Sequence, residues 1–234
     1  MPANHPRNPR PAALIAAILP PAVAAAESMR DPPKASGLFP AEAAAVRTAR
    51  PRRRAEFAAG RLCARAAMAL LGLPATPILP GPAGQPQWPA GVTGSITHCA
   101  GYQASAVGLT TDVTAIGIDA EPDVKLPAGL IEMVAAPREQ EWIRQCAAIG
   151  PAVCWDRLLF SAKESAAKLW YPLTGQWLGF QDVAIRPAIT GTFDVCLPPG
   201  AGRPGSQMTG RWLARGGLIV TTITGMPVTR PRSQ

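Results

Sequence analysis

The chain has 234 residues, 47% of them hydrophobic, so it can bury a sizeable core and is not a disordered chain by composition. The formal net charge of +8 is uneven: residues 1–115 carry 11 Lys and Arg against 5 Asp and Glu, and residues 116–234 carry 12 against 10. The first half therefore suits an anion, whether nucleic acid, a phosphate ligand or an acidic protein.

In chain order, residues 1–12 read as a loose tail. Arg7 and Arg10 precede the apolar run Ala12–Leu19 in the manner of a signal peptide, but Pro20 and Pro21 cut that run to about eight residues. A short strand over Leu14–Leu19 followed by a helix from Ala22 fits as well. Ala41–Leu71 is mostly helical with a break near Pro51, and Gly72 stands where a helix would stop. Pro74–Pro89 is a loop. Ser95–His98 and Ala104–Leu109 are expected as strands joined by a turn near Gly101, and Ala115–Ala120 as another strand. Pro137–Ile149 and Val153–Trp170 are expected helices. Phe180–Arg186, Gly191–Leu197, Gly210–Ala214 and Leu218–Thr224 are closing strands. Helix and strand mix in both halves, so the class is α/β or α+β, with a seam near residues 112–116. No segment reaches the ~18 apolar residues of a membrane span. The five cysteines, Cys63, Cys99, Cys146, Cys154 and Cys196, are odd in number and show no Cys-x-x-Cys spacing. With only two histidines, this argues against a zinc site and for a reduced, cytoplasmic setting.

Three groups of residues carry chemistry. In Ala115–Pro122, alternation puts Ile116 and Ile118 on one face and Gly117, Asp119 and Glu121 on the other. Two carboxylates at i and i+2 repel unless a cation or proton separates them, and magnesium is the obvious cation. Two surface acids at a strand end remain the alternative. In Trp155–Trp170, the residues Trp155, Leu158, Leu159, Ala162, Ala166 and Leu169 form a core stripe, with Glu164 and Lys168 nearly opposite as an i, i+4 pair. That pair is either a solvated ion pair, or a third carboxylate for the metal or a proton acceptor beside a phosphate-balancing lysine. Finally, seven arginines lie between Arg47 and Arg65 with one acid, Glu56. Arg54, Arg61 and Arg65 share a helical stripe and Arg53 lies off it. His98, in Gly94–Tyr102, stands by a turn whose backbone can approach a ligand.

Together these segments resemble one family. Gly117-Ile118-Asp119-x-Glu121 followed by Phe160-Ser161-Ala162-Lys163-Glu164-x-x-x-Lys168 looks like the signature of 4′-phosphopantetheinyl transferases. Arg53-Arg54-Ala55-Glu56-Phe57, Gly60-Arg61-x-Cys63-Ala64-Arg65, Gly94-Ser95-Ile96-Thr97-His98, Trp88-Pro89 and Trp177-Leu178-Gly179-Phe180 are similar to the two-lobed branch serving siderophore, polyketide and mycolic-acid-type synthesis. The resemblance runs from about Leu14 to Thr224. It implies two similar lobes related by a pseudo-two-fold, residues 13–115 and 116–234, with coenzyme A in the cleft between them. It further implies that Asp119, Glu121 and Glu164 bind magnesium on the pyrophosphate and that Lys168 contacts the phosphates. Arg53, Arg61 and His98 would hold the 3′-phosphate, and Lys163 would be a weaker phosphate contact or a helix-face residue. Two positions depart from the pattern: a lysine near Pro80 is missing, and Phe160 stands where many relatives carry tryptophan. Helix geometry selects Arg54 for the phosphate, whereas the motif selects Arg53.

The implied reaction is attack of a carrier-protein serine on the β-phosphorus of coenzyme A, releasing 3′,5′-ADP. Asp119, Glu164 and Lys168 would be the catalytic groups. The expected partners are acidic apo acyl and peptidyl carrier proteins, with no nucleic acid, no membrane and a monomeric chain. The competing readings are another magnesium phosphotransferase or pyrophosphohydrolase, a basic nucleic-acid-binding protein, and a relative that binds coenzyme A without activity.

Overall fold

The computed structural model describes residues 13–29, 36–150, 152–199 and 207–225. The loose tail expected at 1–12 lies outside them. A 3₁₀ turn (Ile15–Ile18) is followed by β1 (Val23–Ser28), α1 (Pro40–Ala45), α2 (Pro51–Leu70), β2 (Val92–Cys99), β3 (Tyr102–Leu109) and β4 (Ala115–Pro122). Then come α3 (Leu130–Val134), α4 (Pro137–Ile149), α5 (Trp155–Thr174), β5 (Ala184–Ala188), β6 (Thr192–Cys196), β7 (Gln207–Arg215) and β8 (Leu218–Gly225).

The strands form two antiparallel sheets, ordered β1-β3-β2 and β4-β8-β7-β6-β5. The long helix α2 packs on the first sheet and α5 on the second. The sheets meet where β2 lies beside β4. No backbone ladder joins these strands; hydroxyls bridge them instead. Ile118 N donates to Ser95 Oγ at 3.2 Å and Ala120 N to Thr97 Oγ1 at 3.0 Å. One face of β4, carrying Ile116, Ile118 and Ala120, packs with Leu14, Ile15, Tyr102 and Val220 in a core shared by both lobes. The other face turns toward α5.

Each lobe repeats one buried device. Both α1 and α4 begin with Pro-x-Glu, and the glutamate turns back to accept the N–H of the residue that precedes the helix. Glu42 accepts from Phe39 N at 2.9 Å and Glu139 from Ala136 N at 2.8 Å. Each glutamate then takes a cation from the following long helix. Arg65 of α2 donates to Glu42 at 2.9 Å, and Lys163 of α5 to Glu139 at 2.7 Å. Each also accepts a distant backbone N–H, from Ile78 at 2.9 Å and Ile185 at 2.8 Å. Burial of these charges is tolerable because every carboxylate oxygen is bonded.

Two expectations fail at the N-terminus. Leu14–Leu19 is not a strand, because the Leu14 and Ile15 N–H groups bond to the carboxylate of Glu27 and wind the chain into a 3₁₀ turn. The segment from Ala22 is not a helix but β1, paired along its length with β3. The short helix α3 was not anticipated. Among the described residues, no helix is long and apolar enough to cross a membrane.

Candidate active site

The chemistry-bearing face of β4 is defined by how closely α5 approaches it. A Cβ on Gly117 would lie 1.9 Å from the Ser165 carbonyl oxygen, so only glycine admits the helix there. Ser161 and Ser165 of α5 then bond Thr221 of β8, which fixes the helix against the sheet. With α5 so placed, Lys168 Nζ donates to Asp119 Oδ1 at 2.6 Å, and Thr97 Oγ1 donates to the same oxygen at 3.2 Å. Asp119 is 4% exposed, and its second oxygen, Oδ2, is buried with no hydrogen-bond partner. Glu121 accepts from Arg157 NH1 at 3.0 Å. Glu164 lies one helical turn before Lys168.

The electrostatics follow from this packing. Burial raises the pKa of Glu164 above the ordinary carboxylate range, the charge of Asp119 raises it further, and Lys168 opposes the rise. Burial also raises Glu121, as does Asp119, against the pull of Arg157 and Lys168. The carboxylates therefore hold their charges at a cost that a divalent cation would relieve. Among the described residues, no three His, Cys, Asp or Glu side chains already stand at ligating distance. In this arrangement Asp119 and Glu121 each hold one cation of α5 instead. The bondless, buried Asp119 Oδ2 nevertheless fits a hard cation with oxygen ligands, with Glu121 and Glu164, whose carboxyls burial holds above their ordinary range, as further candidate ligands.

On the other side of the seam, Arg53 NH1 lies 3.1 Å from His98 Nε2. A guanidinium only donates, so this histidine nitrogen is the acceptor and the ring is neutral. Burial lowers the His98 pKa, Arg53 and Lys168 lower it further, and Glu56 and Asp119 resist. His98 thus lies within the fields of both Arg53 and the Asp119–Lys168 pair. Arg53 and Arg54 are both exposed, but it is Arg53, the motif's arginine, that lies against His98. Arg61 is 6% exposed; its Nε donates to Ile78 O at 3.0 Å, its guanidinium stacks on Phe57, and NH2 is buried without a partner. Burial lowers the Arg61 pKa to about 10.

Lys163 is not brought to the site. It is buried on Glu139 and on Phe180 O at 2.6 Å, so its ammonium faces neither a phosphate nor the exposed helix face expected as alternatives. The arginine stripe expected along α2 is split: its later members turn inward, while Arg52, Arg53 and Arg54 at the helix start are exposed. Arg61 is buried and Arg65 is paired with Glu42, whereas Arg52 and Arg53 reach Glu56 and His98 from the surface. The residue that the sequence reading missed is Arg157. It lies seven residues before Glu164 and eleven before Lys168, on the same helical stripe, and that spacing is a signal legible in advance.

Beside Lys168 and Glu164 opens a cleft of about 240 Å³ between α5, Gly94–Ile96 of β2 and the loop around Gln85. Tyr171, Pro172, Trp177 and Leu178 make its wall mostly apolar. Gly94 is required here, since a Cβ would meet the Trp88 ring at 2.6 Å.

Two α/β lobes meet at a seam that has Arg53, Arg61 and His98 on one side and Asp119, Glu121 and Glu164 on the other. The comparisons name the class of the chain. Residues 41–108 match the 4′-phosphopantetheinyl transferase N-terminal domain, and residues 115–206 match the 4′-phosphopantetheinyl transferase superfamily. The chain is 50% identical over 218 residues to the 4′-phosphopantetheinyl transferase Svp of Streptomyces mobaraensis, covering 90% of this chain and 88% of Svp. It is 41% identical over 223 residues to the 4′-phosphopantetheinyl transferase PptT of Mycobacterium tuberculosis, covering 90% and 97%. Enterobactin synthase component D of Escherichia coli is 39% identical over 120 residues, 50% of this chain and 54% of that protein. This chain belongs to the 4′-phosphopantetheinyl transferase superfamily.

Proposed function

We propose that this chain transfers the 4′-phosphopantetheine group of coenzyme A to a serine of an apo carrier protein, leaving 3′,5′-ADP. The observation that carries the reading is Asp119: a buried carboxylate tied to Lys168, with one bondless oxygen, in a chain whose family is the transferase family.

Arg53 and His98 are assigned to the 3′-phosphate, with the Arg61 guanidinium behind them. Lys168 is the mobile cation. It stands on Asp119 in the free protein and turns to a pyrophosphate oxygen when substrate arrives, where it offsets charge growing on the leaving group. Asp119, Glu121 and Glu164 would hold magnesium, which supplies charge neutralisation to the pyrophosphate. Glu164 accepts the serine proton, and its raised pKa brings its basicity nearer neutrality, as a general base requires. The apolar cleft along Tyr171 and Trp177 suits the pantetheine arm, which carries amides but no charge. Residues 13–115 form the lobe of the 3′-phosphate and residues 116–234 the lobe of the metal. One chain supplies both sides of the cleft, which suits a monomer working in the cytoplasm on acidic acyl and peptidyl carrier proteins.

The test is release of 3′,5′-ADP from coenzyme A, followed by chromatography with and without apo carrier protein. Release that requires the carrier and stops when its acceptor serine is replaced by alanine is expected. Release at the same rate without carrier would mean a pyrophosphohydrolase.

A further inference from the structure

Asp119 and Glu121 stand two residues apart on one strand face, and each receives its own cation from α5: Lys168 for Asp119 and Arg157 for Glu121. The two cations do different things. Lys168 makes a single bond and its side chain is 31% exposed, free to change partners. The Arg157 side chain is 14% exposed and engages all three guanidinium nitrogens at once. NH1 donates to Glu121 Oε2 at 3.0 Å, Nε to Val124 O at 3.0 Å, and NH2 to Lys125 O at 3.1 Å. Its neighbour Asp156 holds the next residue of the same loop, accepting from Leu126 N at 3.0 Å, and Asp123 accepts from Cys154 N at 2.8 Å just before α5 starts. The chain leaving β4 is therefore fastened to the first turn of α5 at consecutive points, with Arg157 at the centre.

We propose that Arg157 is a positioning residue for Glu121: it locks the end of β4 and the loop 123–126 onto α5, so that one carboxylate oxygen is fixed on the guanidinium while the other stays available to a divalent cation. The inference rests on the transferase reading of the site. The planar fork explains why arginine and not lysine stands here, since one ammonium cannot reach a carboxylate and two carbonyls that lie in different directions. Outer partners of this kind commonly change metal affinity by about 10–100-fold when removed. The opposite outcome is physically open: a positive charge beside the ligand opposes cation binding, so its loss could tighten binding. The sign of the effect therefore decides the role.

The experiment measures Mn²⁺ affinity by electron paramagnetic resonance in the presence of coenzyme A, for the wild type, Arg157→Met and Arg157→Lys. Amide hydrogen exchange at residues 123–126 is followed in the metal-free proteins. The expected results are Mn²⁺ binding about tenfold weaker in Arg157→Met, partial recovery in Arg157→Lys, and faster exchange at 123–126 in both. Mn²⁺ affinity within twofold of the wild type, or tighter, in Arg157→Met overturns the assignment. If Arg157→Met does not fold, Arg157→Lys carries the test: it keeps the charge but loses the fork, and unchanged affinity and unchanged exchange would overturn the assignment equally. A wild-type protein that binds no Mn²⁺ with coenzyme A overturns the metal reading of the site along with it, whereas wild-type binding with an indifferent variant overturns the role of Arg157 alone.

Discussion

Replacing Lys163 with methionine separates a structural role from a phosphate-binding one. The methionine fills most of the lysine volume but leaves Glu139, 2% exposed, without its cation. The carboxylate keeps the Ala136 and Ile185 N–H bonds, so its burial is only partly compensated. Breaking a buried pair from one side costs about 3–5 kcal/mol. For a chain of this size, about 2–4 °C of melting temperature corresponds to each kcal/mol, so the melting point should fall by on the order of 10 °C. The double variant Lys163→Met with Glu139→Gln removes both charges and should recover part of that loss, the glutamine oxygen keeping one of the two N–H bonds and its NH2 losing the other. Differential scanning calorimetry of the two variants and the wild type gives the comparison, with KM for coenzyme A measured at a temperature where all are folded. A melting point within 2 °C of the wild type together with a large rise in KM would refute the reasoning and return Lys163 to the substrate.

Three further outcomes follow from the same geometry. Glu164→Gln should abolish transfer yet raise the melting point at pH 7. Ionised Glu164 is penalised in the fold because its pKa is raised, so the gain is present above that raised value and vanishes as the pH falls toward its ordinary value near 4.5. Melting curves across that range read the sign. Arg53→Ala should raise KM for coenzyme A roughly 10–100-fold while sparing 3′-dephospho-coenzyme A, and Arg54→Ala should change neither; equal losses on both substrates would remove Arg53 from the 3′-phosphate. Burial pushes the thiols of Cys63 up to about 11 and Cys99 up to about 12, so iodoacetamide at pH 7.5 should modify the exposed Cys196 and leave those two intact, as peptide mass mapping would show.

Much of the architecture is legible from local pattern. The alternation around Asp119, the hairpin turning at Gly101, and the helices beginning at Pro51 and Pro137 all follow from residue spacing and end signals. Where the reading fails, a distant partner overrides a local preference. Ala22–Ser28 has the composition of a helix, yet it becomes a strand because the edge of β3 is there to be paired. Leu14–Leu19 has the composition of a strand, yet Glu27, thirteen residues on, caps it into a 3₁₀ turn and also accepts from the Tyr102 hydroxyl at 2.6 Å.

The site divides in the same way. Asp119, Glu121, Glu164 and Lys168 are singled out by face and spacing, and the structure joins Lys168 to Asp119 directly. Lys163 and Arg157 are not, although each left a trace. Lys163 falls on the core stripe of α5, four residues after Leu159 and three before Ala166, where a lysine implies a buried acid. No spacing rule could have named that acid as Glu139. Arg157 shares the stripe of Glu164 and Lys168, but its acceptors include two backbone carbonyls of a loop whose path only the folded chain determines.

The central claim is that Asp119 anchors a metal-dependent transfer, and the most direct measurement is the intact mass of an apo carrier protein after incubation with coenzyme A, magnesium and either wild-type protein or Asp119→Asn, with an EDTA control. The account predicts a gain of one phosphopantetheine with the wild type, loss of that gain in EDTA, and no gain with a folded Asp119→Asn. Transfer by Asp119→Asn at the wild-type rate, or wild-type transfer indifferent to EDTA, would contradict it.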